Sequence, residues 1–122
     1  FYPVVDVNNN PMNPIINVRS FGEDPAFVGR MAVATMKGIQ AGGMLSTAKH
    51  FPGHGDTATD SHHDLPRIDA PLTVLHEREL APFRAGIEAG ASSVMVAHLS
   101  VPALDPEPVP PLRDAGAADQ GS

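Results

Sequence analysis

The sequence predicts an α/β fold built on a parallel sheet, with helices crossing between strands. Three observations predict it. Short apolar, β-branched runs alternate with longer amphipathic ones. The short runs are hydrophobic throughout rather than every second residue, as strands covered on both faces must be. Polar residues (Asp6, Arg19, Lys49, His50, His98) gather just after strand ends, the edge where α/β folds bind ligands. Loops are polar in any case, so this last pattern has a purely structural reading beside the functional one.

The elements follow in order. "FYPVVDV" (1–7) reads as a buried strand, and the turn-rich segment 8–24 reads as a loop. Asp24 followed by Pro25 marks a helix start, with the acid as N-cap and proline at the first helical position. Apolar residues at 27, 28, 31, 32, 34, 36 and 39 keep helical period over 26–40, and Gly42 and Gly43 end it. "MLSTAKH" (44–50) is the second strand. Segment 71–90 reads as helix in two pieces, broken at Pro82 and closed by Gly90. "SSVMVAHLS" (92–100) is the third strand. Segment 106–122 is rich in proline, alanine and glycine, without a period, and is expected to be disordered. Right-handed crossovers would then join about three parallel strands.

Composition narrows the function. The chain has 122 residues, 42% hydrophobic, enough for one small core. A net charge of −6 argues against nucleic acid or an anionic membrane as partner. No apolar run approaches the roughly 20 residues needed to span a bilayer. Cysteine is absent, which excludes disulfides and thiolate metal sites but does not fix the compartment. Cytoplasmic and exported locations both stay open, since the chain starts at Phe1 and a signal could have preceded it.

The chemistry concentrates in "KHFPGHGDTATDSHHDLP" (49–66), which holds four of the six histidines and three aspartates. Three chemistries could use it. Metal binding has candidate ligands in His54, Asp56, Asp60, His62, His63 and Asp64, but no standard zinc spacing and no HExxH. Nucleophilic catalysis lacks both cysteine and a GxSxG elbow. Acid–base chemistry suits Asp60-Ser61-His62, because side chains at i and i+2 of an extended chain share one side and a carboxylate can then orient the ring and favour imidazolium. Solvated loop residues would show the same spacing.

This loop closely resembles the signature of glycoside hydrolase family 3, and more narrowly its bacterial β-N-acetylglucosaminidase branch. "PVVDVNNNPMNPIINVRSFGEDP" resembles the family's preceding strand and arginine-bearing loop, and "LAPFRAGIEAGASSVMVAHLSVPALDP" its next helix and strand. The resemblance runs from residue 3 to about 106, in order and without evident gaps. It implies a partial (β/α)₈ barrel of the TIM type, with 1–105 a fragment of the catalytic barrel domain. It also implies retaining cleavage of a non-reducing terminal β-N-acetylglucosamine through a covalent glycosyl-enzyme. By residue-for-residue match, Arg19, Lys49 and His50 would hydrogen-bond the sugar, His62 would be the acid/base and Asp60 its partner. His54 and His63 match no such role, and no metal or cofactor is implied. The implied partner is a β-N-acetylglucosaminide or related carbohydrate.

One geometric expectation follows. Adjacent Lys49 and His50 would point to opposite faces of a regular strand. For both to reach one sugar the chain must kink at 49–52, with Lys49-His50 or Phe51-Pro52 in cis. The family's nucleophile, an aspartate on a later strand, has no match here; Asp114 and Asp119 sit in no strand-like context. The chain is therefore expected to be inactive alone. A hexosamine-binding module without catalysis is the alternative, and a metal-dependent hydrolase a third reading.

Overall fold

A computed structural model describes residues 1–57 and 65–106. Among them, the elements are a 3₁₀ turn at Asn17–Arg19, helix α1 (Pro25–Ala41), strand β1 (Thr47–Phe51), a helical run of α2 (Leu72–Val74), a π turn (Leu75–Glu79) and α3 (Leu80–Glu88), and strand β2 (Ser93–Val96). β1 and β2 pair in parallel. The first segment lies along the other edge of β1. Thr47 N–H donates to the Tyr2 carbonyl (2.9 Å), Lys49 N–H to Pro3 (3.2 Å), and Val5 N–H to Lys49 (2.8 Å). β1 is thus the middle of three parallel runs.

The first run departs from expectation. Residues 1–7 form no regular strand and make a single bridge, Val4 to Lys49. Pro3 has no N–H to donate to a ladder, and beyond Val5 the chain turns its bonds to other partners. Its burial is as expected: Val4, Val5 and Val7 are all inside.

α1 starts as its sequence dictates. The Asp24 carboxylate accepts the Ala26 N–H at 3.1 Å, with Pro25 opening the helix. Val28, Ala32 and Met36, spaced by four, form its buried stripe. They pack with Val5, Val7, Ala48 and Phe83 into the main core, while Ile68, Leu75 and Val101 make a smaller one. The second helical run breaks at 75–79, upstream of the expected Pro82. There the Leu80 N–H reaches back five residues to the Leu75 carbonyl. Pro82 sits in the first turn of α3, which continues directly from the π turn, and offers no N–H to that preceding turn. Gly90, at φ +92°, follows the helix end.

The kink at 49–52 is present. The β1–β2 register advances from Lys49↔Met95 to Phe51↔Val96, so His50 bulges out of the ladder. Lys49-His50 and Phe51-Pro52 are both cis, as is Tyr2-Pro3. Residues 58–64, which include Asp60 and His62, and the expected disordered tail from 107 on lie outside the described residues.

β2 leaves apolar surface uncovered: Val96 is 72% exposed, and Leu45, just before β1, is 84% exposed. Exposed apolar strand surface is a template for association. The 122-residue chain is expected to bind a hydrophobic dye and to self-associate as its concentration rises, and Val96→Lys to reduce both. A soluble monomer with a sharp two-state thermal transition would count against this.

Candidate active site

The kink gathers polar groups at the C-terminal end of β1, and Asp6 holds them there. Its side chain is wholly buried. One carboxylate oxygen accepts the His54 N–H at 2.6 Å, the other the His50 ring Nδ1 at 2.7 Å, and the His50 backbone N–H is shared between both at 3.2 Å. A carboxylate taking two backbone N–H groups acts as an acceptor, so the bonding assigns the proton of His50 to Nδ1 and leaves Nε2 for a ligand.

Two glycines let the turn come this close. A Cβ at Gly55 would lie 1.7 Å from the Val7 carbonyl oxygen, an impossible contact. Gly53 has φ +130°, and a Cβ there would meet Glu79 Cβ and Cγ at 2.9 Å. At these positions the glycines of the histidine loop serve close packing.

His54, 5% exposed, is fixed by a second network. The Thr57 hydroxyl donates to the His54 carbonyl (3.0 Å) and lies 2.6 Å from the ring Nδ1. The Asn13 amide donates to the same carbonyl at 2.6 Å, while its oxygen accepts the Ile15 and Ile16 N–H groups. Burial pushes the His54 pKa down; its backbone bond and Asp6 oppose, and the charges of His50 and Arg19 add to the lowering.

Of the residues picked out from sequence, Lys49 and His50 meet here, at the bulged end of β1. Lys49 and His50 are neighbours on β1, both half-buried, and Lys49 has no ion-pair partner among the described residues. Arg19 is exposed at the end of the 3₁₀ turn, braced by a 3.3 Å bond to the Ile15 carbonyl. Asp60 and His62 lie outside the described residues, as do His63 and Asp64. His98 is exposed beyond β2.

Sequence reasoning placed Asp6 at the right edge but missed its role. It also missed Asn13, Thr57, Arg78 and Glu79. Arg78 bonds both Glu79 and, at 3.0 Å, Asp56. Among the described residues no three His, Asp or Glu side chains are arranged to hold a metal ion. Among the described residues no helix is long and apolar enough to cross a membrane.

Residues 1–113 match the family described as glycosyl hydrolase family 3 N terminal domain. A beta-hexosaminidase A of Pseudoalteromonas piscicida is 50% identical over 106 residues, 86% of this chain and 18% of the relative. A beta-hexosaminidase of Xanthomonas euvesicatoria pv. vesicatoria is 44% identical over 108 residues, covering 88% and 32%. The chain thus spans a third or less of these relatives. Among solved structures, a glycoside hydrolase family 3 beta-N-acetylglucosaminidase from Paenibacillus sp. str. FPU-7 superposes with a TM-score of 0.88 at 48% identity, over 90% of this chain and 21% of that one. NagZ from Neisseria gonorrhoeae, in complex with N-trifluoroacetyl-D-glucosamine, gives 0.81 at 43% identity, over 88% and 32%.

The lowered His54 pKa has a pH consequence. The unfolded chain takes up a proton near 6.5 while the folded ring stays neutral. His54 therefore makes stability fall as pH drops below 6.5 and has no effect above it. Glu79, whose pKa burial raises above 4.5, acts in the opposite sense, losing stability as pH rises through its folded value. The difference between wild type and His54→Asn isolates the histidine. Its expected form is a gap that narrows on acidification below 6.5, read from denaturation midpoints; a gap independent of pH would contradict it.

Proposed function

This chain belongs to the glycosyl hydrolase family 3 N-terminal domain family, and from that premise we propose that its residues form one part of a retaining β-N-acetylhexosaminidase site. Lys49 and His50, side by side at the bulged end of β1, support the reading most directly: a charged N–H donor beside a ring whose Nε2 is left to accept. A sugar offers hydroxyls, which donate and accept, and an acetamido carbonyl, which accepts, and such groups are held by donors and acceptors in fixed positions. Arg19 and Lys49 supply charged N–H groups. His50 supplies Nε2, its ring held by Asp6.

In this reading Asp60 and His62 carry the proton chemistry. The His62 imidazolium gives its proton to the glycosidic oxygen as the C–O bond breaks and a carboxylate attacks the anomeric carbon. In the second step neutral His62 takes a proton from water, whose oxygen displaces the carboxylate. Asp60 orients the ring and favours its charged form. The attacking carboxylate comes from a segment other than these 122 residues, so the chain by itself is expected to give no turnover.

The test restores that segment by placing residues 1–105 in a complete barrel of the family. His62→Ala should slow glycosides with poor leaving groups by about 10²–10⁴-fold. It should scarcely slow the first step for an activated aryl glycoside, whose phenolate departs unaided. Asp60→Ala should give a milder version of the same pattern. Lys49→Ala or Arg19→Ala should weaken all substrates alike, since both act on the sugar common to them. An equal loss across leaving groups for His62→Ala would refute its acid/base role. Sugar binding without turnover in the unsubstituted barrel would favour a binding module.

A further inference from the structure

The histidine turn is tied to the helical layer by one cluster that the proposed function does not use. Arg78 stands between two acids. Its Nε donates to Glu79 Oε1, and its Nη2 donates to Asp56 Oδ2 at 3.0 Å. Among the described residues this is the one ion pair joining the helical run to the turn. Glu79 is 1% exposed, and its Oε2 finds no partner among the described residues. Its aliphatic carbons lie against Gly53, so the helical run grips the turn at two points, 53 and 56.

Local structure makes the double grip feasible. Residues 78 and 79 end the π turn. A turn closed over five residues uses more residues per revolution, so neighbouring side chains diverge by less than the roughly 100° of an α-helix. Arg78 and Glu79 can then serve the same partner segment.

Stability is a poor reason for this arrangement. A buried carboxylate with one bare oxygen costs free energy, and apolar side chains of similar volume often do as well or better. Burial pushes the Glu79 carboxyl up, and Arg78 opposes it. What the cluster supplies is a fixed position for the turn. Asp56 adjoins Thr57, which holds the His54 ring and carbonyl; the His54 N–H lies on Asp6; Asp6 holds the His50 ring.

We propose that Arg78, with Glu79 and Asp56, is a positioning residue for sugar binding. It sets the 53–57 turn against Asp6 and thereby the placement of His50. This rests on the reading of His50 as a sugar-binding residue.

The experiment uses the complete barrel carrying residues 1–105 and an activated aryl β-N-acetylglucosaminide. Arg78→Met combined with Glu79→Gln removes the bridging cation and the buried acid, leaves Asp56 in place, and keeps the bulk. The expected result is an unchanged or higher melting temperature, KM raised about tenfold and kcat little changed; a full ångström of misplacement can cost about a hundredfold. Arg78→Lys, which keeps the charge but not the two-sided bridge, should fall between. An unchanged KM in the double variant would overturn the proposal. If that variant does not fold, Asp56→Asn decides, since its side chain is one-third exposed: a raised KM supports the proposal and an unchanged one overturns it. His50→Ala in the same barrel separates the two claims. If it leaves KM unchanged, the sugar-binding reading fails and the positioning role with it. If it raises KM while the Arg78 and Asp56 variants do not, the positioning role alone fails.

Discussion

A buried carboxylate with nothing to bond would cost several kcal/mol, and the layout of this chain is organised around meeting that demand at Asp6. The first segment delivers the acid into the interior beside β1. The bulge at His50 turns that residue's N–H and ring toward it, and the following turn brings the His54 N–H to the same group. Each donor would itself be orphaned without the acid, so the cost is reciprocal. Two pieces of chain distant in sequence, the first segment and the strand end with its turn, are thereby held in one arrangement. The same bond selects the tautomer of His50 and so determines what the ring presents outward.

Such close approach restricts the surrounding sequence. Gly55 lies against the Val7 carbonyl with no space for a Cβ, and Gly53 is pinned beneath Glu79. Asn13 bridges the long loop to the His54 carbonyl and also bonds its own next turn. The Arg19-bearing 3₁₀ turn starts directly after that anchored stretch. Packing, rather than flexibility, explains these residues.

The architecture was largely legible in the sequence. The N-cap at Asp24, the stripe of Val28, Ala32 and Met36 and the stop at Gly90 follow local rules that tertiary contacts had no cause to override. The kink at 49–52 was legible too, because two adjacent side chains with one expected target cannot lie on a regular strand. Where sequence misled, a specific bond decided. Residues 1–7 have strand composition, but Pro3 cannot donate and Asp6 spends its bonds on the turn. Pro82 marks the break, but the irregularity falls in the turn before it, at 75–79, which receives no N–H from the proline. Of the site, Lys49, His50 and Arg19 were found through family likeness. Glu79 and Arg78 gave no signal, because an acid and a base in a helix read as a solvated face until the fold shows one of them buried.

The central claim is that the Asp6 carboxylate holds the His50 and His54 amides in a fixed, water-excluded arrangement. Amide hydrogen exchange at these two positions, compared between the unsubstituted sequence and Asp6→Ala in a complete barrel carrying residues 1–105, tests it most directly. The account predicts that both amides exchange as slowly as the β1 core amides in the former, and that both lose their protection together in the latter while the amides of α1 keep theirs. Rapid exchange at His50 and His54 with Asp6 present, or protection that survives its removal, would contradict it.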